Sequence, residues 1–226
     1  MISIIIPIYN EEKIVADYLP EVLALPLDKE IIIVNDGSTD KTEEILTSLS
    51  RRYEFRLINQ PTNQGKGAAV KRGLTEINGA YFIVCDADAE YDPKNIIDLL
   101  EAIKKEAPGN KVAYYGSRFL AHKPISFHYL VNLFLTTLTN LLFSSRLTDM
   151  ETCFKLIPAN ALEKITLTGG RFEIEPEITA QLLKAGYEIK ELPINYARRG
   201  YQDGKKIKAR DGLLAIRSLI KEKLRR

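Results

Sequence analysis

The chain has no tryptophan and only two cysteines in 226 residues. Two thiols are too few for a disulfide scaffold, and a chain of this length builds enough core to need none. Cys85 and Cys153 both lie in apolar, strand-like runs, so the expectation is two buried free thiols in a reducing cytosol. Low-complexity tracts, internal repeats and long linkers are absent too, which predicts one domain over residues 1–226. No apolar run reaches the roughly 20 residues that span a bilayer. The opening Met1-Ile-Ser-Ile-Ile-Ile-Pro7 lacks a basic n-region and breaks at its proline; no secretory leader is expected. Net charge is only +2, and no nucleic-acid partner is expected.

That charge is unevenly placed. Residues 196–226 carry +8, leaving −6 for the rest. A basic end of this kind suits either contact with anionic lipid or phosphate, or a solvated helix face.

The first half alternates apolar runs with helix-like segments. Ile2–Pro7, Glu30–Asn35, Arg56–Asn59, Tyr81–Cys85 and Val112–Gly116 read as strands. Helical patterns follow Asn10-Glu11-Glu12 to about Leu25, Asp40 to Ser48, Gly67 to about Ile77, and Pro93 to Lys105. Apolar strands between helices imply an α/β fold, a Rossmann-like and mostly parallel sheet covered on both faces. Ligands of such sheets sit beyond the carboxyl ends of the strands, so residues after Pro7, Asn35 and Val84 are expected to form the pocket. Residues 1–116 then make a nucleotide-binding half and 117–226 an acceptor half. In the second half, Phe127–Phe143 has a helical pattern with a broad apolar arc through Phe127, Leu130, Val131, Phe134, Leu138, Leu141 and Leu142. A narrow polar stripe carries His128, Asn132, Thr136, Thr139 and Asn140. The segment suits a membrane interface or a buried helix. A last amphipathic helix is expected over Asp211–Lys223.

The strongest chemical constellation is Val84-Cys85-Asp86-Ala87-Asp88-Ala89-Glu90, at the end of an apolar strand. Carboxylates at i and i+2 beyond a strand end can converge on one hard cation, which takes few protein carboxylates and completes its shell with water and phosphate oxygens. Three further segments accompany it: Pro7-Ile8-Tyr9-Asn10-Glu11-Glu12, Val34-Asn35-Asp36-Gly37-Ser38-Thr39-Asp40, and Asn63-Gln64-Gly65-Lys66-Gly67. Asp36 is placed to read nucleobase or ribose donors, while Ser38, Thr39 or Asp40 suits a helix cap. Gly65 and Gly67 are expected to let the backbone approach a phosphate or ribose, with Lys66 supplying charge. The spacing is not that of a P-loop.

These segments resemble the family 2 glycosyltransferases with the GT-A fold, specifically the polyprenyl-phosphate group that includes dolichol-phosphate mannose synthases. Downstream, Gly116-Ser117-Arg118-Phe119, Thr148-Asp149-Met150-Glu151-Thr152-Cys153-Phe154-Lys155, Arg171-Phe172-Glu173-Ile174-Glu175-Pro176-Glu177 and Gly204-Lys205-Lys206-Ile207 also match, so the resemblance covers nearly the whole chain. It implies that Asp86, Asp88 and Glu90 hold Mg²⁺ or Mn²⁺. Glu90 stands where mannose synthases often carry Gln. Pro7, Tyr9, Glu11, Asp36, Lys66, Asp86 and Asp88 are implied at the nucleotide sugar, and Arg118 and His128 at the acceptor phosphate.

The implied reaction is an inverting single displacement from a nucleotide sugar, GDP-mannose first and UDP-glucose next, onto a polyprenyl phosphate. A phosphate acceptor is already anionic and needs no general base. It needs cations to hold it in line, and Arg118, Arg198, Arg199, Lys205 and Lys206 are available. Asp88, Arg118 and Asp149 are the expected catalytic residues. Were the acceptor a sugar hydroxyl, Asp149 or Glu151 would serve as base; otherwise Asp149 orients Arg118. A nucleotidyltransferase lacks support, because no Gly-rich arginine-lysine signature adjoins the first strand; a non-catalytic nucleotide-binding module would not need the Asp pair. A cytoplasmic protein, peripheral at the cytoplasmic membrane face, is expected.

Overall fold

Isoleucine-rich runs without polar alternation become the centre of the sheet, because both their faces must be covered. The computed structural model describes residues 1–107, 109–121, 126–197 and 209–225. In it Ile2–Ile8 (β1), Lys29–Asn35 (β2), Arg56–Asn59 (β3) and Tyr81–Val84 (β4) lie parallel, with Ile4 paired to Ile31 on one side and Ile83 on the other. Helices Val15–Leu23 (α1), Thr42–Leu49 (α2), Lys66–Leu74 (α3) and Asn95–Lys104 (α4) alternate with these strands. The first helix starts later than expected. Asn10 takes φ 50°, and the backbone N–H groups of Asn10, Glu11 and Glu12 donate to Ser38, Thr42 and Asp40 of the neighbouring loop.

Val112–Ser117 (β5) is a strand, as expected, but it does not sit beside β4. Lys155–Pro158 (β6) inserts between them, antiparallel to both, and Glu188–Pro193 (β7) adds parallel to β5, so the order is β3-β2-β1-β4-β6-β5-β7. Neither inserted strand stands out in the sequence: one is four residues with a lysine and a proline, and the other alternates half-buried charges. Because β5 runs the same way as β4, the loops after both open on one edge of the sheet.

The remaining helices are Phe127–Phe143 (α5), Ile174–Lys184 (α6) and Ala209–Leu224 (α7), with a 3₁₀ turn at Ala159–Glu163. Ser126 caps α5, its Oγ accepting from Tyr129 N at 3.2 Å, as N-cap serines do. The sequence places α5 correctly, but its rotation is a finding. Leu130, Val131, Phe134 and Leu141 of the apolar arc are exposed, as is Leu133; among the arc's described side chains, Leu138 and Leu142 lean on the cluster formed with α6 and α7. The polar stripe faces inward instead, with Thr136 and Thr139 buried. Its polar atoms are satisfied there: Thr136 Oγ1 accepts from Met150 N at 3.1 Å, and Thr139 donates to Leu135 O at 2.9 Å. Asn140 bonds both backbone groups of Leu147.

Candidate active site

The loops after β1 and β2 are stitched together at the carboxyl edge. Asn10 Oδ1 accepts from Thr39 N at 2.8 Å, and Asp40 accepts from Thr42 N at the head of α2. Pro7, Tyr9 and Glu11 are half-buried along this seam. Asp36 is tied into the protein itself. It is 2% exposed, and its two oxygens receive Gln60 Nε2, Asn63 Nδ2, Gln64 N and Gly65 N at 2.8–2.9 Å. A carboxylate bonded in this way shapes residues 60–65 and so positions Lys66.

The two glycines around Lys66 differ from expectation. Gly65 sits at φ 98°, and a Cβ there would lie 2.5 Å from Gly170 O, while one on Gly67 would lie 2.6 Å from Gly169 O. The space they leave is filled by the protein's own 169–171 backbone, to which Ala68 N donates at 3.1 Å. That loop is held in turn by α6. Glu177 accepts from Thr168 N and Gly169 N, and Glu173 from Gly170 N, which explains the carboxylates spaced two apart in Glu173-Ile174-Glu175-Pro176-Glu177.

Glu175, the middle one, belongs to a buried ionic chain. Lys66 Nζ lies 2.7 Å from Asp86 Oδ2 and 2.8 Å from Glu175 Oε1, and Lys155 Nζ lies 2.5 Å from Glu175 Oε2. Burial alone would favour the neutral forms. The two lysines nevertheless bring the Glu175 carboxyl down to about 2, and Asp86 with Glu175 keeps the Lys66 ammonium well above its ordinary value. Sequence reasoning left Lys155 and Glu175 without roles; the available signal was Lys155, a full charge inside an otherwise apolar segment.

Beyond Asp86 the loop turns sharply. Ala89 takes φ 54°, a left-handed conformation costing a residue with a Cβ about 1–2 kcal/mol, and Glu90 N donates to Asp88 Oδ1 at 3.0 Å. Glu90 does not join the other two carboxylates: it is buried and accepts from Tyr196 Oη at 2.5 Å. Among the described residues no group of three His, Cys, Asp or Glu side chains converges on a metal position. Two carboxylates, with phosphate oxygens and water completing the shell, remain a donor set that suits Mg²⁺. Asp86 and Asp88 therefore fit a hard cation that arrives with a diphosphate.

A second charged group stands at the end of β5. Arg118 Nε and Nη2 each meet an oxygen of Asp149 at 2.7 Å, and Arg118 N adds a third bond to the same carboxylate. Asp149 is fully buried, and Glu191 of β7 accepts from the N–H groups of Thr148 and Asp149. The guanidinium also lies over the rings of Phe119, Tyr196 and Tyr91, 5.1, 5.3 and 5.9 Å from their centres. Burial opposes its charge, yet Asp149 holds its proton affinity well above the ordinary value. Tyr129 packs edge-on against Phe119 at 5.0 Å, bringing the first turn of α5 and its half-buried His128 toward this cluster. The structure thus joins Lys66 to Asp86 and Arg118 to Asp149. Arg198, Arg199, Lys205 and Lys206 lie outside the described residues.

The backbone defines the class first. It matches glucosyl-3-phosphoglycerate synthase from Mycobacterium tuberculosis, solved with Mn²⁺, uridine diphosphate and phosphoglyceric acid, at a TM-score of 0.71, covering 99% of this chain and 78% of that one. At 16% identity this is a likeness of fold, that of the GT-A glycosyltransferases. The sequence model of glycosyl transferase family 2 matches residues 3–166, and the chain belongs to that family; it is a glycosyltransferase. A dolichyl-phosphate beta-glucosyltransferase of Trichomonas vaginalis is 30% identical over 97% of this chain and 72% of its own length. A dolichol-phosphate mannosyltransferase of Pyrococcus furiosus is 36% identical over 53% of this chain, which covers only 33% of that longer protein.

Proposed function

We propose that the protein transfers a hexose from a nucleotide sugar to a polyprenyl phosphate such as dolichyl phosphate. The observation that carries this reading is the pairing of two buried cations on one edge of the sheet, Lys66 beyond β3 and Arg118 beyond β5, each held by a carboxylate. One cation serves the diphosphate that leaves and the other the phosphate that attacks. The relatives' names support the lipid phosphate as acceptor, and the one matched along nearly the whole chain favours a glucosyl over a mannosyl donor.

Asp86 and Asp88 would hold Mg²⁺ or Mn²⁺, which when bound neutralises charge on the departing diphosphate. Lys66, paired to Asp86, would add its charge toward the same group. Asp149 fixes the plane of the Arg118 guanidinium, so the arginine meets the acceptor phosphate already oriented. No side chain has to remove a proton, because that phosphate is ionised at neutral pH. Asp149, with both oxygens on Arg118, is a positioning residue here and not a base.

Access to a lipid follows from α5. Among the described residues no helix is long and apolar enough to cross a membrane. α5 packs against α7; Leu130, Leu133, Phe134 and Leu141 of α5 are exposed, as are Ile220 and Leu224 of α7, which Lys221, Lys223 and Arg225 flank in the sequence. Apolar insertion plus attraction to anionic headgroups is what peripheral binding requires, and it supports work at a membrane surface.

The test is a panel of UDP-glucose, GDP-mannose and UDP-N-acetylglucosamine, each with a short polyprenyl phosphate and Mg²⁺ or Mn²⁺. Hexose appearing on the lipid phosphate is expected, and transfer to sugar hydroxyls alone would overturn the assignment.

A further inference from the structure

Glu151 sits in the stretch that joins the two ionic clusters, two residues after Asp149 and four before Lys155. Everything around it on the chain is tied down. Met150 N donates to Thr136, Thr152 Oγ1 to Gly116 O at 2.6 Å, and Cys153 N to Tyr91 Oη at 3.4 Å. Glu151 alone in this stretch ends in an orphan: its Oε1 is sealed from solvent and has no hydrogen-bond partner among the described residues. The residue as a whole is only half-buried, so the carboxyl lies just beneath the surface. It senses charges from both clusters, Lys155 and Glu175 on the donor side, Arg118 and Asp149 on the acceptor side, and burial pushes it up to about 7.

A buried polar atom without a partner costs stability, and native proteins keep few of them. At a binding edge the missing partner is supplied by a ligand. The ligand class follows from position and charge. In an in-line displacement the transferred sugar lies between the leaving diphosphate and the attacking phosphate. Among the described residues no cation bonds Glu151 Oε1, and a phosphate gains nothing from a carboxylate, whereas a hydroxyl donates readily to a carboxylate oxygen. We propose that Glu151 Oε1 receives a hydroxyl of the hexose being transferred and thereby takes part in choosing that hexose. The inference rests on the hexosyl-transfer reading above. Sites built to bond a substrate hydroxyl discriminate strongly against sugars that present none at that point.

The test compares each sugar nucleotide with its bare diphosphate by calorimetry: UDP-glucose against UDP and GDP-mannose against GDP, with Mg²⁺ present. Wild-type protein is expected to bind one sugar nucleotide more tightly than the matching diphosphate. Glu151→Ala is expected to lose about tenfold for that sugar nucleotide, equivalent to about 1.4 kcal/mol, with diphosphate affinity unchanged. Glu151→Gln, whose amide oxygen still accepts, should retain most of the difference. Should the alanine variant fail to fold in a thermal melt, Glu151→Thr provides a second truncation. Equal affinities in variant and wild type, or equal losses for diphosphate and sugar nucleotide, would overturn the proposal and leave the hexosyl-transfer reading standing. Wild-type protein that binds none of the four ligands would overturn both.

Discussion

Lys66 Nζ stands 2.7 Å from Asp86 Oδ2, across 20 residues of sequence, with both side chains largely buried. Lys66 also meets Glu175, so its removal leaves Asp86 without a cation and Glu175 with Lys155 alone. Breaking a buried pair from one side costs about 3–5 kcal/mol. Lys66→Met is expected to lower stability by that amount in urea titrations and to remove turnover. A variant as stable as wild type would mean that solvent, not Lys66, satisfies Asp86.

Asp88 is expected to matter for chemistry and not for folding. Its Oδ1 accepts the local Glu90 N–H, a turn contact that an asparagine carbonyl preserves. Asp88→Asn should therefore melt within a few degrees of wild type yet lose turnover, and excess chelator should silence wild-type protein in the same way. Full activity in chelator would take the divalent cation out of the mechanism.

Asp36→Ala is expected to act through structure. Four N–H groups of residues 60–65 lose their acceptor, and at about 1–3 kcal/mol for each buried donor left unsatisfied, water repairs only part of the loss. A drop of about 3 kcal/mol or more in unfolding free energy is the expected result. A stable variant with weakened nucleotide binding would put Asp36 in the base pocket.

Leu130→Glu combined with Phe134→Glu changes two side chains that are more than half exposed. The doubly substituted protein should fold normally and bind sugar nucleotides normally. Its co-sedimentation with anionic liposomes and its turnover on a lipid acceptor should fall, and the wild-type binding should weaken with salt. Unchanged liposome binding by the folded variant would rule out this face as the membrane contact.

Two carboxyls give opposite pH dependences. Glu175 is held down to about 2 from an ordinary 4.5 by Lys155 and Lys66 against the effect of burial. Its contribution, on the order of 3 kcal/mol, is present above pH 4.5 and is lost as pH falls toward 2. Burial instead lifts Glu151 to about 7, so between pH 4.5 and 7 the folded chain keeps a proton the unfolded chain has released. That part of the stability declines as pH rises through this window. Glu151→Gln should therefore match wild type near pH 4.5 and melt progressively higher than wild type up to pH 7 and above. A difference between the two that does not vary with pH would refute the shift.

The sequence by itself determined the elements whose signal is local. An unbroken β-branched run such as Ile31–Val34 reads as a strand covered on both faces, and the 3.6-residue pattern of Phe127–Phe143 marks that helix to the residue. The carboxylates beyond β4 were legible for the same reason, since they follow directly on a strand end, whereas Arg118 after β5 was read from the family resemblance of its segment. The tertiary structure decided what depends on partners distant in the chain. Four residues at Lys155–Pro158 become a central strand only because β4 and β5 leave a gap for them. Asp36 became a loop anchor, and Gly65 and Gly67 a docking place for residues 169–171, through contacts about 30 and 100 residues away in sequence. The rotation of α5 shows the limit most directly. Periodicity predicts which residues share a face, but Thr136 and Asn140 of α5 find specific hydrogen-bond partners in residues 145–150, and those bonds leave Leu130, Leu133, Phe134 and Leu141 on the outside.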